Sequence, residues 1–285
     1  MDVKLRPGRR EDAEVCGRIC HDAFGAIAAE HRFPSDFPSP EVGVGVVSAM
    51  LEHPQMYSVV AEVDGQVVGS NFLDERSAIA GVGPVSVDPA AQNRGIGRAL
   101  MLDVLRRATE RGAPGVRLLQ AAYHNRSLSL YAELGFTVRD VLACMQGTPP
   151  TGQVTGYQVR PATTADLDAC SAVCRRVHGH DRTAEMADAI TPGTGLVVEH
   201  HDRVSGYATD LGFTGHAVGE SNEDLKALIL AATAFHGSGI LVPTTNGELF
   251  RWCLEQGLHV VHVMTLMSIG LYTTPQGAYL PSVQF

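Results

Sequence analysis

Apolar residues recur along this chain with two periods, one helical and one extended. Ala99, Leu100, Leu102, Leu105 and Ala108 return at helical spacing and stop at Gly112, which predicts a helix over that stretch. YSVVAEVDGQVVGSNFLDE (57–75) reads as two Val-rich strands around Asp64-Gly65, a dipeptide suited to positive φ, and so predicts a hairpin. Pro84 to Val87 reads as a strand that Asp88-Pro89 ends, and VRLLQAAYH (116–124) as the strand following the helix. Strands and helices interleaved in this way predict a mixed α/β architecture.

The chain also resembles itself. LRPGRREDAEVCGRICHDAFG (5–25) lies over VRPATTADLDACSAVCRRVHG (159–179) with Arg6/Arg160, Pro7/Pro161, Asp12/Asp166, Cys16/Cys170, Cys20/Cys174 and Gly25/Gly179 in register. Further on, Glu62/Glu199, Val67/Val204 and Gly69/Gly206 coincide in AEVDGQVVGS and VEHHDRVSGY. Two domains of one fold are therefore expected, at 1–148 and 156–285, with the Gly-, Pro- and Thr-rich run GTPPTGQVTG between them as a linker. Each copy opens with a short strand and then a helix whose first turn is acidic, at Glu11 and Asp12 or at Asp166. The paired cysteines, at i and i+4 on one helix face, read as small apolar residues packed on a sheet and not as metal ligands.

Composition narrows the function. With 22 Lys and Arg against 31 Asp and Glu, the formal net charge of −9 excludes nucleic acid or an anionic membrane as a wholesale partner, since both require basic excess. Six cysteines are too sparse for a disulfide framework and the N-terminus carries no apolar signal core, so a cytoplasmic protein is expected. The histidines show no repeated ligand spacing, and no metal is expected. Against the acidic background one window is basic: seven arginines between Arg94 and Arg126 face only Asp103 and Glu110. Any anion site should lie there.

QNRGIG (92–97) sits inside that window, between the strand ending at Val87 and the helix. A Gly-punctuated turn opening a helix aims backbone N–H groups at the positive end of the helix dipole and so suits a phosphate. The Walker loop would need Gly-Lys-Ser/Thr where Gly97-Arg98-Ala99 stands, and the three-glycine dinucleotide fingerprint is missing too. The segment resembles instead the acetyl-CoA loop of the GNAT N-acetyltransferase superfamily, Gln/Arg-x-x-Gly-x-Gly/Ala, and NRSLSLYAELGF (125–136) resembles that family's following Asn…Tyr…Gly-Phe helix.

The resemblance implies two tandem GNAT acyl-CoA N-acyltransferase folds, each a mixed, partly antiparallel sheet flanked by helices, with acetyl-CoA as cosubstrate. It implies that the backbone of Val85 and Val87 holds the pantetheine arm and that Gln92, Arg94, Gly95, Ile96, Gly97, Arg98 and Ala99 surround the pyrophosphate. Asn125 would touch the arm, and Tyr131 would lie near the sulfur and protonate the departing thiolate. For the base, Glu75 at the end of the preceding strand is the first candidate and His124 the second, with a water-mediated path beside them.

In the second copy GESNED puts Glu220, Glu223 and Asp224 where the first has glycines and arginines, which is expected to repel CoA, and Cys253 falls at the place of Tyr131. The expected function is acetyl transfer to a primary amine, of a small molecule or a peptide, by direct attack in a ternary complex in the first copy. A non-catalytic acetyl-CoA sensor is the alternative, and a tandem enzyme resembling mycothiol synthase is a third reading that fits poorly, because that family's active half is the second. Acceptor specificity is expected to live in Phe33 to Met50 and in what the second domain contributes. The apolar tail MTLMSIGLYTTPQGAYLPSVQF is expected to cover a domain groove or a neighbouring subunit, the latter giving a homodimer.

Overall fold

The repeated positions of the sequence build the same framework twice. In a computed structural model, which describes residues 3–284, the first half runs β1 (Val3–Pro7), α1 (Ala13–His31), α2 (Pro40–Glu52), β2 (Met56–Val63), β3 (Gln66–Asp74), β4 (Ala80–Val82), β5 (Ser86–Val87), α3 (Ile96–Glu110), β6 (Gly115–Ala121), α4 (Asn125–Glu133) and β7 (Thr137–Gln146). The second half runs β8 (Tyr157–Pro161), α5 (Leu167–His178), α6 (Thr183–Ile190), β9 (Leu196–His200), β10 (Arg203–Ala208), β11 (Ala217–Gly219), α7 (Asn222–Leu230), β12 (Ile240–Pro243), α8 (Gly247–Glu255), β13 (His259–Gly270) and β14 (Ala278–Leu280).

The coinciding Arg, Asp and Glu form one ion-pair arrangement in each half. Arg6 donates to both oxygens of Asp12 at 2.7 and 2.8 Å and to Glu62 at 2.6 Å, tying β1 to the start of α1 and to β2. Arg160 does the same with Asp166 at 2.9 and 2.7 Å and with Glu199 at 2.6 Å. Asp12 and Asp166 also accept from the backbone N–H of Arg9 and Thr163, which caps the helix entry in both copies. The four paired cysteines face the sheets and are buried among apolar side chains, as their spacing implies. Asp64 and Gly65 both take positive φ, 52° and 78°, which matches the twist of the β2–β3 hairpin.

Two sheets result. Nine strands form the first, in the order β1-β2-β3-β4-β6-β13-β7-β12 with β5 on β3, and the second has the order β14-β11-β10-β9-β8. The halves exchange their last long strands. β13 of the second half lies between β6 and β7, pairing Leu266 with Leu119 on one side and Val263 with Ala143 on the other, while β12 pairs with β7. The first sheet is therefore shared between the halves.

The strand expected from Pro84 to Val87 is shorter, Ser86–Val87, and another precedes it. β4 runs parallel to β6 through Ala80–Val82, and the chain then leaves that neighbour at Gly83 and Pro84, where proline has no N–H for a ladder. Only Ser86 and Val87 rejoin the sheet, on β3, so β5 and β6 splay apart and a cleft opens between them. Among the described residues no helix is long and apolar enough to cross a membrane.

Candidate active site

The cleft between β5 and β6 is a cavity of about 570 Å³. Val85, Val87, Gln92, Gly95, Ile96, Gly97, Arg98 and Tyr131 all line it, so most of the residues expected at a cofactor site meet at one place. Arg94, Ala99, Asn125 and Glu75 are not on its wall.

The turn into α3 is built for close approach. Asn93 and Gly95 take positive φ, 63° and 82°, and Gly95 stands at the helix N-cap. A Cβ at Gly95 would meet nothing within 4 Å, and one at Gly97 would come no closer than 3.8 Å to Leu130, so the space over this helix end is open. Backbone N–H groups facing such a space fit a pyrophosphate. Gln92 braces the turn: its Nε2 donates to the Val87 carbonyl at 3.1 Å, and Arg126 donates to its Oε1 at 3.0 Å and to Asn93 Oδ1 at 3.0 Å. Arg126, which lines the cavity, belongs to the basic window but is absent from the loop motif. Arg98 is ion-paired with the exposed Glu133.

Tyr131 projects from α4 with its ring against Phe136, centroids 6.2 Å apart, and burial pushes its phenol up to about 12. It therefore keeps its proton at any neutral pH. His124 caps α4, accepting from the Ser127 N–H at 3.2 Å, and burial lowers its imidazole. Asn125 is the first residue of α4 and exposed, on the outer side of that cap.

Glu75 is placed differently from the expectation that it faces the cleft. It accepts from Arg107 Nε and Nη2 at 2.7 and 2.9 Å and lies 3.9 Å from Arg111, so its carboxylate fastens the end of β3 to α3. Two guanidiniums at the foot of α3 draw it away from the cavity, a pull the position of Glu75 at a strand end did not reveal.

Much of the remaining wall is assembled from segments the motifs do not mark. Asp36 and Phe37 come from the α1–α2 connection, Phe213, Thr214 and Gly237 from the second half, Met264 from β13, and Val283 and Gln284 from the tail. The apolar tail crosses the molecule: β14 pairs with β11, and the Val283 N–H donates to the Phe213 carbonyl at 2.8 Å on the way to the first half.

The second copy keeps the framework and not the loop. Its carboxylates, expected to act by repulsion, are engaged internally. Asp224 is buried and caps α7 through Ser221, Glu220 is held by Arg203 at 2.6 and 2.8 Å and by Arg176 at 2.6 Å, and Glu223 by Lys226 at 2.6 Å. The corresponding edge is taken by backbone: β14 pairs on the edge of β11 that answers to the cavity edge of β5. A second cavity of about 560 Å³ remains beside Glu220 and Asn222, with Ala278 and Tyr279 in its wall. Cys253 is a buried residue of α8, and burial pushes its thiol up to about 12, against the thiolate at neutral pH.

Comparison with known proteins agrees with this geometry. The profile of the Acetyltransferase (GNAT) family matches residues 26–136. A mycothiol acetyltransferase of Thermomonospora curvata is 38% identical over 92 residues, which cover 32% of this chain and 31% of that protein, so the match spans about a third of the relative's length. Among solved structures, an acetyltransferase assigned in Pyrococcus horikoshii superposes with a TM-score of 0.72 at 18% identity, over 97% of this chain and 94% of the other. A tandem GNAT protein from the clavulanic acid biosynthesis pathway superposes with a TM-score of 0.58 at 15% identity, over 94% and 98%. Residues 26–136 thus match the GNAT acetyltransferase family, on a fold that the whole chain shares with a tandem GNAT protein.

Proposed function

We propose that the chain is an N-acetyltransferase that moves the acetyl group of acetyl-CoA to a primary amine by direct attack, using only its N-terminal site. The observation that carries this reading is the coincidence of the splayed strand, the Gly95–Gly97 helix entry and Tyr131 on one cavity wall.

In this reading the helix entry at Gly95 to Arg98 and Arg126 hold the phosphates, and the backbone of Val85 to Val87 lies along the pantetheine arm, as a paired strand would. Bound acetyl-CoA supplies the thioester. The chain's part is to orient it beside the amine, to donate a backbone N–H to the developing oxyanion from the Val85–Val87 segment, and to hold a proton on Tyr131 Oη for the leaving sulfur. Closing the amine into a cavity with apolar walls also excludes water from the thioester.

The test is acetyl-CoA-dependent thiol release across a panel of primary amines. Release with at least one acceptor is the expected result. Tight binding with no release would favour the sensor alternative. The curated relative's name supports a second reading of the acceptor, a sugar-linked thiol precursor of the mycothiol kind, and that amine belongs on the panel.

A further inference from the structure

Asp36 is the one carboxylate on the cavity wall among the described residues. The wall around it is largely apolar and aromatic: Phe24, Ile27, Phe37, Val46, Tyr123 and Phe213 line the same cavity. The carboxylate is fixed across the two halves. Ser238 of the second half donates its hydroxyl to Asp36 Oδ1 at 2.6 Å, and His262 of β13 brings Nε2 to 4.0 Å from the same oxygen.

His262 deepens the anomaly. Its side chain is 1% exposed, yet neither ring nitrogen has a hydrogen-bond partner. Rings enclose it, with Phe33 at 6.4 Å, Tyr123 at 6.3 Å and Phe213 at 6.3 Å, all roughly perpendicular to the imidazole. Burial pushes Asp36 up and His262 down, so both favour the neutral state while no cation is present. A buried carboxyl and an unpartnered imidazole in an apolar shell are costly unless something polar enters beside them.

We propose that Asp36, held by Ser238 and backed by His262, seats the ammonium group of the acceptor and takes its first proton, and that the acceptor is a primary amine carrying an apolar or aromatic body. This inference rests on the acetyl-transfer reading for its chemical step and on the cavity alone for its binding step. The ammonium docks between the carboxylate and the aromatic faces, which favour cations. One N–H bond breaks and its proton passes to Asp36. The freed nitrogen pair forms the C–N bond to the acetyl carbon, the C–S bond breaks with its electron pair on sulfur, Tyr131 gives that sulfur its proton, and the second N–H proton passes to the tyrosinate and restores the phenol. A sugar-linked acceptor would set its hydroxyls against the apolar wall. The segment 33–50 and the second half thus both contribute specificity, through Asp36, Phe37 and Val46 on one side and Phe213 and Ser238 on the other.

The test uses the full chain saturated with CoA and titrates phenethylamine, its uncharged analogue 2-phenylethanol, and glucosamine. Wild-type protein is expected to bind phenethylamine at least ~10-fold more tightly than either of the others, because only it offers both a cation and an apolar body. Asp36→Asn, which preserves shape, is expected to erase that preference while CoA affinity stays unchanged, and Ser238→Ala to reduce it. In turnover with whichever amine the wild type acetylates, Asp36→Asn is expected to lower kcat by roughly 100-fold or more. Equal binding of phenethylamine by wild type and Asp36→Asn, or tighter binding of glucosamine than of phenethylamine by wild type, overturns the proposal. Phenethylamine binding that depends on Asp36 without thiol release from any amine keeps the seat and overturns the transferase reading instead.

Discussion

Tyr279 pairs with Val218 across an antiparallel ladder, on the edge of β11 that answers to the cavity edge of β5 in the first copy. The correspondence follows from register: Gly69 and Ser70 face Val87 and Ser86, and Gly206 and Tyr207 face Gly219 and Val218. The edge proposed to take a pantetheine arm in one copy is thus filled by the chain's own strand in the other. One acetyl-CoA per chain is the expected stoichiometry. Isothermal titration reading two equivalents, or a cofactor-soaked crystal with density along β11, would refute it.

The tail that closes one groove also furnishes the other. A Cβ on Gly81 would collide with the Gln284 carbonyl oxygen, and Gln284 lines the first cavity. Gly81→Ala should therefore displace the end of the tail and raise KM for the amine several-fold, up to roughly 100-fold if the wall shifts by about 1 Å. Acetyl-CoA affinity should hold, because Gly81 is not among the residues that line the cavity with the Gly95–Arg98 turn. An unchanged amine KM would show that the tail plays no part in acceptor binding.

Tyr131→Phe retains the packing on Phe136 and removes the proton donor. The expected result is a drop in kcat of roughly 10- to 1,000-fold with acetyl-CoA binding nearly intact. Full activity at every pH would mean that another group protonates the thiolate.

Gly97 separates space from charge. A methyl group there would have its nearest side-chain neighbours, Leu130 and Val87, at 3.8 and 3.9 Å, so Gly97→Ala should fold and melt as the wild type does. Gly97→Glu adds a negative charge at the helix N-terminus and should weaken CoA binding beyond detection in a calorimeter. Unchanged CoA affinity in Gly97→Glu would move the pyrophosphate elsewhere.

How far the sequence reached can be followed residue by residue. The turn at Gln92 to Gly97 was legible because local backbone chemistry writes itself locally: a strand, positive-φ positions and a helix start are consecutive in the chain. Arg6, Asp12 and Glu62 were legible for another reason, since their doubles at Arg160, Asp166 and Glu199 betray a shared structural task. Asp36 was hidden. It is surrounded by Phe213, Ser238 and His262, roughly 180 to 230 residues away, and no local period records that approach. The exchange of β7 and β13 was equally invisible, because a strand's pattern of apolar residues does not say which sheet receives it. Glu75 misled because Arg107 and Arg111, one helix later, claim its carboxylate.

That ion pair yields its own prediction. Arg107 is 40% exposed, so water screens the bridge, and Glu75→Gln should cost about 1 kcal/mol or less in stability. The pH profile of acetyl transfer should stay where it was. A displaced acidic limb in that profile would return Glu75 to the list of proton acceptors.

Between the halves lies a buried polar group whose pH response can be worked out. Arg182 donates to both oxygens of Glu185 at 2.7 and 2.5 Å, and His216 Nδ1 stands 3.3 Å from the same carboxylate. The nearby carboxylate should raise the imidazole, but burial and the Arg182 charge outweigh it and hold His216 down at about 4. Burial, with Arg117 and Arg182, holds His180 at about 4 as well. In the unfolded chain both titrate near 6.5, so between about pH 6.5 and 4 the unfolded state binds protons that the folded state refuses. Stability is then complete above that window and falls as pH drops through it, by up to about 1.4 kcal/mol per pH unit for each imidazole. Glu185, held below the usual carboxylate range, adds a loss of the same sign at still lower pH. Urea unfolding at pH 7, 6 and 5 checks this, with His216→Gln expected to make the dependence shallower. Stability that stays level from pH 7 to 5 would mean that these imidazoles reach solvent and bind protons in the folded state.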